Sequence, residues 1–168
     1  GLSLNIFNNH CDRVRMANLA QIVNVLQAVI LTKEEKLVLT PTYHVMEMYN
    51  VHQDALMIPL SVTSNEYIMG DKKIQALSAS ASKDKNNNVH ISIVNMDAGK
   101  EQEINIDLGN LAVKSVTGRV LQSEKIQDYN SFENPGKIKP ESFTGAKLSG
   151  TNLNVKMAPF SVVVLTLK

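Results

Sequence analysis

The side chains with the widest chemical range in this sequence are four histidines, one cysteine and sixteen carboxylates. His10, His44, His52 and His90 show none of the HExxH or CxxC spacings that gather metal ligands. His44 and His52 stand eight apart, roughly on one helix face, with no carboxylate set to complete a site. Cys11 adjoins His10 and Asp12, and adjacent positions seldom let a thiol face its base. Ser3, Ser61 and the serines of 78–82 lie in no GxSxG elbow. There is no GxGxxG and no phosphate loop. Glycoside hydrolysis needs two carboxyl groups about 5–9 Å apart in a cleft. The acidic residues here fall in turns or alternate with lysine. Glu34 and Glu35 sit inside Lys33-Glu34-Glu35-Lys36, and Glu101 and Glu103 flank a turn. The residues alone therefore assemble no complete active site. Asn18, Gln21 and Asn24 stand apart because they interrupt an apolar stretch. An amide in such surroundings must bond either to protein or to a ligand.

The chain that must position these groups has 168 residues, enough for one domain or one domain with an appendage. Apolar residues make up 43% and charged residues 20%, which excludes general disorder. Seventeen basic and sixteen acidic residues leave a net charge of +1, so there is no electrostatic footprint for nucleic acid. One cysteine excludes an internal disulfide framework. No apolar run is long enough to span a membrane. Four Tyr, four Phe and no Trp are a poor endowment for a module that stacks sugars. A start on Gly1 suggests a processed or cut chain.

The patterning divides the chain into two unlike parts. Residues 2–7 read as the end of a helix, with Asn8 and Asn9 as terminating residues. Polar residues recur every third position through 14–31, between the strand and helix periods, so either a buried strand or one continuous helix fits. Thr40-Pro41 is a helix start, with Thr as N-cap and Pro at the first helical position. Val45, Met48, Tyr49 and His52 then mark one amphipathic face. From about residue 60 onward the pattern is that of strands. Segments 74–82, 89–95 and 102–108 alternate, and the last two, joined through Asp97-Ala98-Gly99, read as an antiparallel hairpin. Strands are expected at 113–121, 152–157 and 160–167, with a long loop over 127–144. Short strands at this spacing indicate a two-sheet sandwich.

Residues 4–26, LNIFNNHCDRVRMANLAQIVNVL, closely resemble the C-terminal region of α-L-arabinofuranosidases of glycoside hydrolase family 51. Ile30-Leu31-Thr32, residues 39–45, Met48-Tyr49 and residues 51–55 continue the match in register. Weaker echoes occur at 79–82, 89–95 and 159–165. The resemblance implies a mainly β fold, a jelly-roll-type sandwich over 60–168, preceded over 1–59 by the end of a (β/α)8 barrel. Residues 14–21 become its eighth strand and 40–52 its eighth helix. It implies a retaining hydrolase acting on terminal α-L-arabinofuranosyl groups of plant glycans, without cofactor or metal. Its two catalytic glutamates lie upstream, and no Glu here matches either. Gln21 falls at the C-terminal end of the eighth strand, where barrel sites are built. The matching family glutamine hydrogen-bonds the arabinofuranose, and Asn24 takes a supporting role. The family sandwich also borrows a strand from the N-terminus of the whole chain. A cut barrel leaves apolar residues such as Leu19, Val23 and Leu26 bare, so the segment is expected to fold back, repack or form a homo-oligomer. The competing reading is a carbohydrate-binding or dimerisation module.

Overall fold

The computed structural model describes residues 1–168. The chain is mainly β: thirteen strands accompany two α-helices and one 3-10 turn. The largest sheet has six strands. Its centre is β13 (Val162–Leu167) paired with β7 (Val89–Asn95), a run rich in β-branched residues that suit a buried ladder. Outside β7 come β6 (Leu77–Lys83) and β3 (Leu56–Ile58), and outside β13 come β9 (Val116–Leu121) and β10 (Glu141–Ser142). A second sheet orders β11 (Ala146–Ser149), β12 (Asn152–Met157) and β8 (Gln102–Asp107). Both sheets are antiparallel throughout.

The two sheets face one another across a single core. Alternation puts Leu77, Ala79, Ala81, Val89, Ile91 and Ile93 inward from one side, and Leu153, Val155 and Met157 from the other. Three strands cannot cover six. The smaller sheet ends at β8, which pairs only with β12 and has a free outer edge. Beside that edge a largely apolar cleft of about 440 Å³ opens between β8 and the β6 and β7 faces.

Segment 89–95 is buried at every position, which alternation alone would not require. A third layer covers its other face. It consists of α1 (Leu2–Asn9), α2 (Pro41–Met48) and the 3-10 turn Tyr49–His52. Ser78, Ser80, Ser82, His90 and Ser92 therefore lie between helices and sheet.

Several expectations change. The segments 89–95 and 102–108 do not form a hairpin, because β7 and β8 belong to different sheets. The corner is held by buried polar groups. Asn95 Nδ2 donates to the carbonyls of Lys100 and Ala158, and Asp97 Oδ1 accepts from the Gly99 and Lys100 amides. Residues 14–21 carry no strand. A parallel barrel strand is satisfied by neighbours on both sides, and this chain supplies none; the one ladder contact nearby is an isolated bridge between Val23 and Ile30. After that bridge the chain forms a hairpin of β1 (Ile30–Lys33) and β2 (Lys36–Leu39), turning at Glu34-Glu35. The helix expected over 2–7 does end at the asparagines, with Asn9 its last residue and His10 its C-cap. Thr40 precedes α2 as expected, but its hydroxyl donates to the Ala28 and Val29 carbonyls instead of accepting from the helix. Segment 74–82 breaks at Ala76 into β6 and β5 (Lys72–Gln75), which forms a separate hairpin with β4 (Glu66–Met69).

One tight approach gives a direct test of the packing between β11 and β12. A methyl group on Gly145 would meet the Lys156 carbonyl oxygen and the Phe143 ring, the latter at 2.7 Å. Lys156 N donates to Gly145 O at 2.9 Å, so neither backbone can easily retreat. Gly145→Ala should cost about 2–4 kcal/mol, read as a lower urea midpoint at unchanged slope.

Candidate functional site

Gln21 and Asn24, the amides to which the resemblance gives a substrate role, lie three residues apart on the exposed stretch after α1, and Asn18 is exposed on the same stretch. Gln21 has φ 56° and Asn24 φ 54°, both left-handed, and Gln27 repeats this at 64°. Such backbone is uncommon for residues other than glycine, and when observed it is a reason to look for function. The structure does not place the two side chains in one site. Asn24 is committed locally: its Nδ2 donates to Thr32 Oγ1 at 2.9 Å and its Oδ1 accepts from the Thr32 amide at 2.7 Å. It braces the β1–β2 hairpin. The Gln21 amide is exposed and bonds to no other side chain or backbone group.

Around them the surface is apolar. Leu26 is 92% exposed, Met16 74% and Ile22 55%. The first helix continues this surface in an inverted way. Its only buried residue is Asn5, at 0% exposure, while Leu2, Ile6 and Phe7 face outward. Asn5, Asn8 and Asn9 occupy one helix face at i, i+3 and i+4. Asn5 Nδ2 donates to Ser78 O at 3.0 Å, and its Oδ1 accepts from Ser80 Oγ at 2.8 Å and Tyr49 Oη at 2.9 Å. Asn8 Nδ2 donates to Ser80 Oγ and Asn9 Nδ2 to the Ala79 carbonyl. The helix thus docks through these amides and through Leu4, which packs against the Met48 and Tyr49 cluster, and leaves Leu2, Ile6 and Phe7 uncovered. Sequence reasoning missed this network. Its signal was the Ser78, Ser80, Ser82 stripe, a row of small polar groups on an otherwise apolar strand.

Beneath the 3-10 turn, His52 Nδ1 lies 2.7 Å from Ser82 Oγ and Nε2 2.5 Å from Ser92 Oγ. Burial, and to a lesser degree the neighbouring His90, lowers its pKa to about 4. His90 sits between Thr166 and Asp84, each at 3.1 Å. Asp84 also accepts from Asn88 and from the Asn86 amide, and these bonds pull its carboxyl down to about 2. Burial raises the Tyr49 hydroxyl above its usual range. Cys11 and His52 border one open cleft of about 550 Å³, but both His52 nitrogens are taken by serines. His10 contacts Arg13, and His44 packs edge-on against Tyr43. No three His, Cys, Asp or Glu side chains gather to hold a metal ion. No helix is long and apolar enough to cross a membrane.

The outer face of the smaller sheet is polar, with Glu103 and Asn105 both bonded by Asn154 Nδ2. No two Tyr or Phe rings pack together to make a platform.

The fold and its polar interlayer define a class, an antiparallel sheet-built domain with an amide-docked helical layer. Comparison with known proteins says which. Residues 1–161 match the α-L-arabinofuranosidase C-terminal domain, and the chain belongs to that family. It is 46% identical over 168 residues to an intracellular exo-α-L-arabinofuranosidase of Bacteroides ovatus, covering 99% of this chain and 33% of that protein. It superposes on the family 51 arabinofuranosidase of Xanthomonas axonopodis pv. citri with TM-score 0.95 at 40% identity, over 99% of this chain and 34% of that one. An arabinose complex of the Thermotoga maritima enzyme matches at TM-score 0.82 and 25% identity, over 97% and 36%. The chain thus spans about a third of the length of these relatives.

Proposed function

We propose that this chain is the C-terminal portion of a retaining α-L-arabinofuranosidase, releasing terminal α-L-arabinofuranosyl groups from arabinose-containing plant glycans. In this reading, residues 60–168 form a jelly-roll-type sandwich that braces a (β/α)8 barrel. Residues 1–59 are the terminal piece of that barrel. The observation that carries the reading is the inverted first helix. Asn5 anchors it to the sheet while Leu2, Ile6 and Phe7 face outward, continuous in kind with Met16, Ile22 and Leu26. An apolar surface of this extent marks an interaction face. The rest of a barrel covers it in the whole enzyme, and a second copy is the substitute when the barrel is missing. The free edge of β8 and its apolar cleft are the place for a strand from the start of the whole chain.

Gln21 is the substrate-binding residue in this reading. Its amide offers both a donor and an acceptor to sugar hydroxyls, and its left-handed backbone is the kind of outlier that accompanies such roles. Asn24 supports it by fixing the adjoining hairpin.

The test joins this chain to the preceding two thirds of the Bacteroides ovatus relative. Hydrolysis of a chromogenic α-L-arabinofuranoside is then measured. A folded chimera with turnover supports the reading, and a folded chimera without any overturns it. In the active chimera, Gln21→Ala should lower kcat/KM by about 10–100-fold, the scale of a lost substrate hydrogen bond. An unchanged kcat/KM removes Gln21 from the site.

A further inference from the structure

We propose that His52, seated between the 3-10 turn and the six-stranded sheet, is an acid-sensitive latch that releases the helical layer before the sandwich itself unfolds. The geometry is that of a clamp. One imidazole joins two strands through Ser82 and Ser92, which are 4% and 0% exposed. The layer above contributes Tyr49 from the same turn and Asn5 from the first helix, so the serine stripe is bonded from several directions. A neutral imidazole donates through one nitrogen and accepts through the other. The hydroxyls of Ser82 and Ser92 can rotate to serve whichever tautomer is present. Protonation turns both nitrogens into donors. The serine that had been donating must then turn its hydroxyl to accept from the ring, and its own hydrogen loses that acceptor.

The groups facing the ring do not compensate the new charge. From β7 comes His90, its ring centroid 6.5 Å away, and a charge on either ring opposes one on the other. Asp84, at the turn between β6 and β7, is spent on His90 and on Asn88. Lys83, at the end of β6, adds a further positive charge in that strand. The first helix brings the Gly1 amine and asparagines but no carboxylate. Arg15, Cys11 and Asp54 border the open cleft on the other side of the ring.

Burial sets the sign. His52 titrates near 4 in the docked layer, against an ordinary value of 6.5. A lowered value means that the contribution to docking is complete above about 6.5 and is lost as the pH falls towards 4. Between pH 7.5 and pH 5 the released fraction should rise about 10–30-fold.

Hydrogen exchange followed by mass spectrometry on this chain tests the latch, with rates corrected for the intrinsic pH dependence. At pH 5 the opening equilibrium for Leu2–Asn9 and Pro41–Met48 should exceed that at pH 7.5 by about 10–30-fold. Segment Val162–Leu167 should keep its protection. His52→Gln retains a hydrogen-bonding amide but cannot be charged. It should open more readily at neutral pH and show no rise towards pH 5. A layer that opens equally at both pH values, or a rise that persists in His52→Gln, overturns the proposal. If that variant does not fold, the ring of His52 in the unaltered chain decides by its NMR titration. A midpoint near 4 supports the latch, and one near 6.5 overturns it.

Discussion

A chromogenic α-L-arabinofuranoside incubated with this chain alone is expected to be cleaved no faster than in buffer. Retaining hydrolysis needs a carboxylate nucleophile and, about 5 Å away, a carboxylic acid whose pKa is raised enough to donate a proton. Several of the acidic side chains here are engaged otherwise. Glu47 accepts from both terminal nitrogens of Arg119, at 2.8 and 2.9 Å. Glu66 pairs with Lys73 and Glu101 with Lys156. The carboxyls of Asp84, Asp128 and Glu133 are displaced downward, the wrong direction for a general acid. The polar cleft that brings Glu124, Asp128 and Glu141 together also holds Lys125, Lys137 and Lys139, and Lys137 binds Asp128 at 2.6 Å. Without a nucleophile and acid pair, a rate enhancement on the order of a millionfold or more is missing. The measurement is steady-state release of the chromophore, repeated after a second purification. Turnover that survives repurification and disappears in Glu47→Gln or Glu124→Gln would place the catalytic pair in this chain. It would also end the reading of the chain as a supporting portion.

The way the sheets form was legible because it is local. The alternation over 89–95 and the β-branched run over 162–167 specify strands without reference to anything else. The helix after Thr40-Pro41 was legible for the same reason. Pairing was not, since it depends on partners distant in sequence. β7 takes β13 rather than its neighbour β8, because the buried Asn95 and Asp97 corner carries the chain from one sheet to the other. Residues 14–21 show the opposite limit. The resemblance implies a barrel strand for them where the pattern alone left strand or helix open, but a strand is a property of its neighbours, and in this chain they stay irregular and largely exposed. The residues marked Gln21 only as one of three amides in an apolar stretch, and its substrate role came through resemblance alone. Nothing in its immediate surroundings distinguishes it, since Asn24 and Gln27 share its left-handed backbone.

Replacing Asn5 by Leu should be the most damaging single substitution of an uncharged side chain in the helical layer. The change is nearly isosteric and raises the apolar content of α1, so a view based on hydrophobic burial alone would predict a gain of about 1–2 kcal/mol on the scale of about 25 cal/mol per Å². The hydrogen bonds reverse that expectation. Asn5 is fully buried and is the hub of the interlayer. Leu would strip the Ser78 carbonyl of its donor and both Ser80 Oγ and Tyr49 Oη of their acceptor. Ser80 is itself 0% exposed and cannot turn to water. Tyr49 retains one alternative, the Gly1 carbonyl at 3.2 Å, so its loss is partial. Leaving a buried donor or acceptor unmade costs about 1–3 kcal/mol per group. Two such groups and one partly rescued group put the net loss at about 3–5 kcal/mol, after the apolar gain is subtracted. Urea unfolding followed by circular dichroism reads this directly. The companion variant Asn5→Leu with Ser80→Ala removes one of the stranded hydroxyls. It should recover about 1 kcal/mol of the loss, because emptying both sides of a bond is cheaper than emptying one. A loss below about 1 kcal/mol in Asn5→Leu, with no recovery in the pair, would mean that the helix is held by its apolar contacts after all. In that case the outward placement of Leu2, Ile6 and Phe7 would no longer argue for a missing cover.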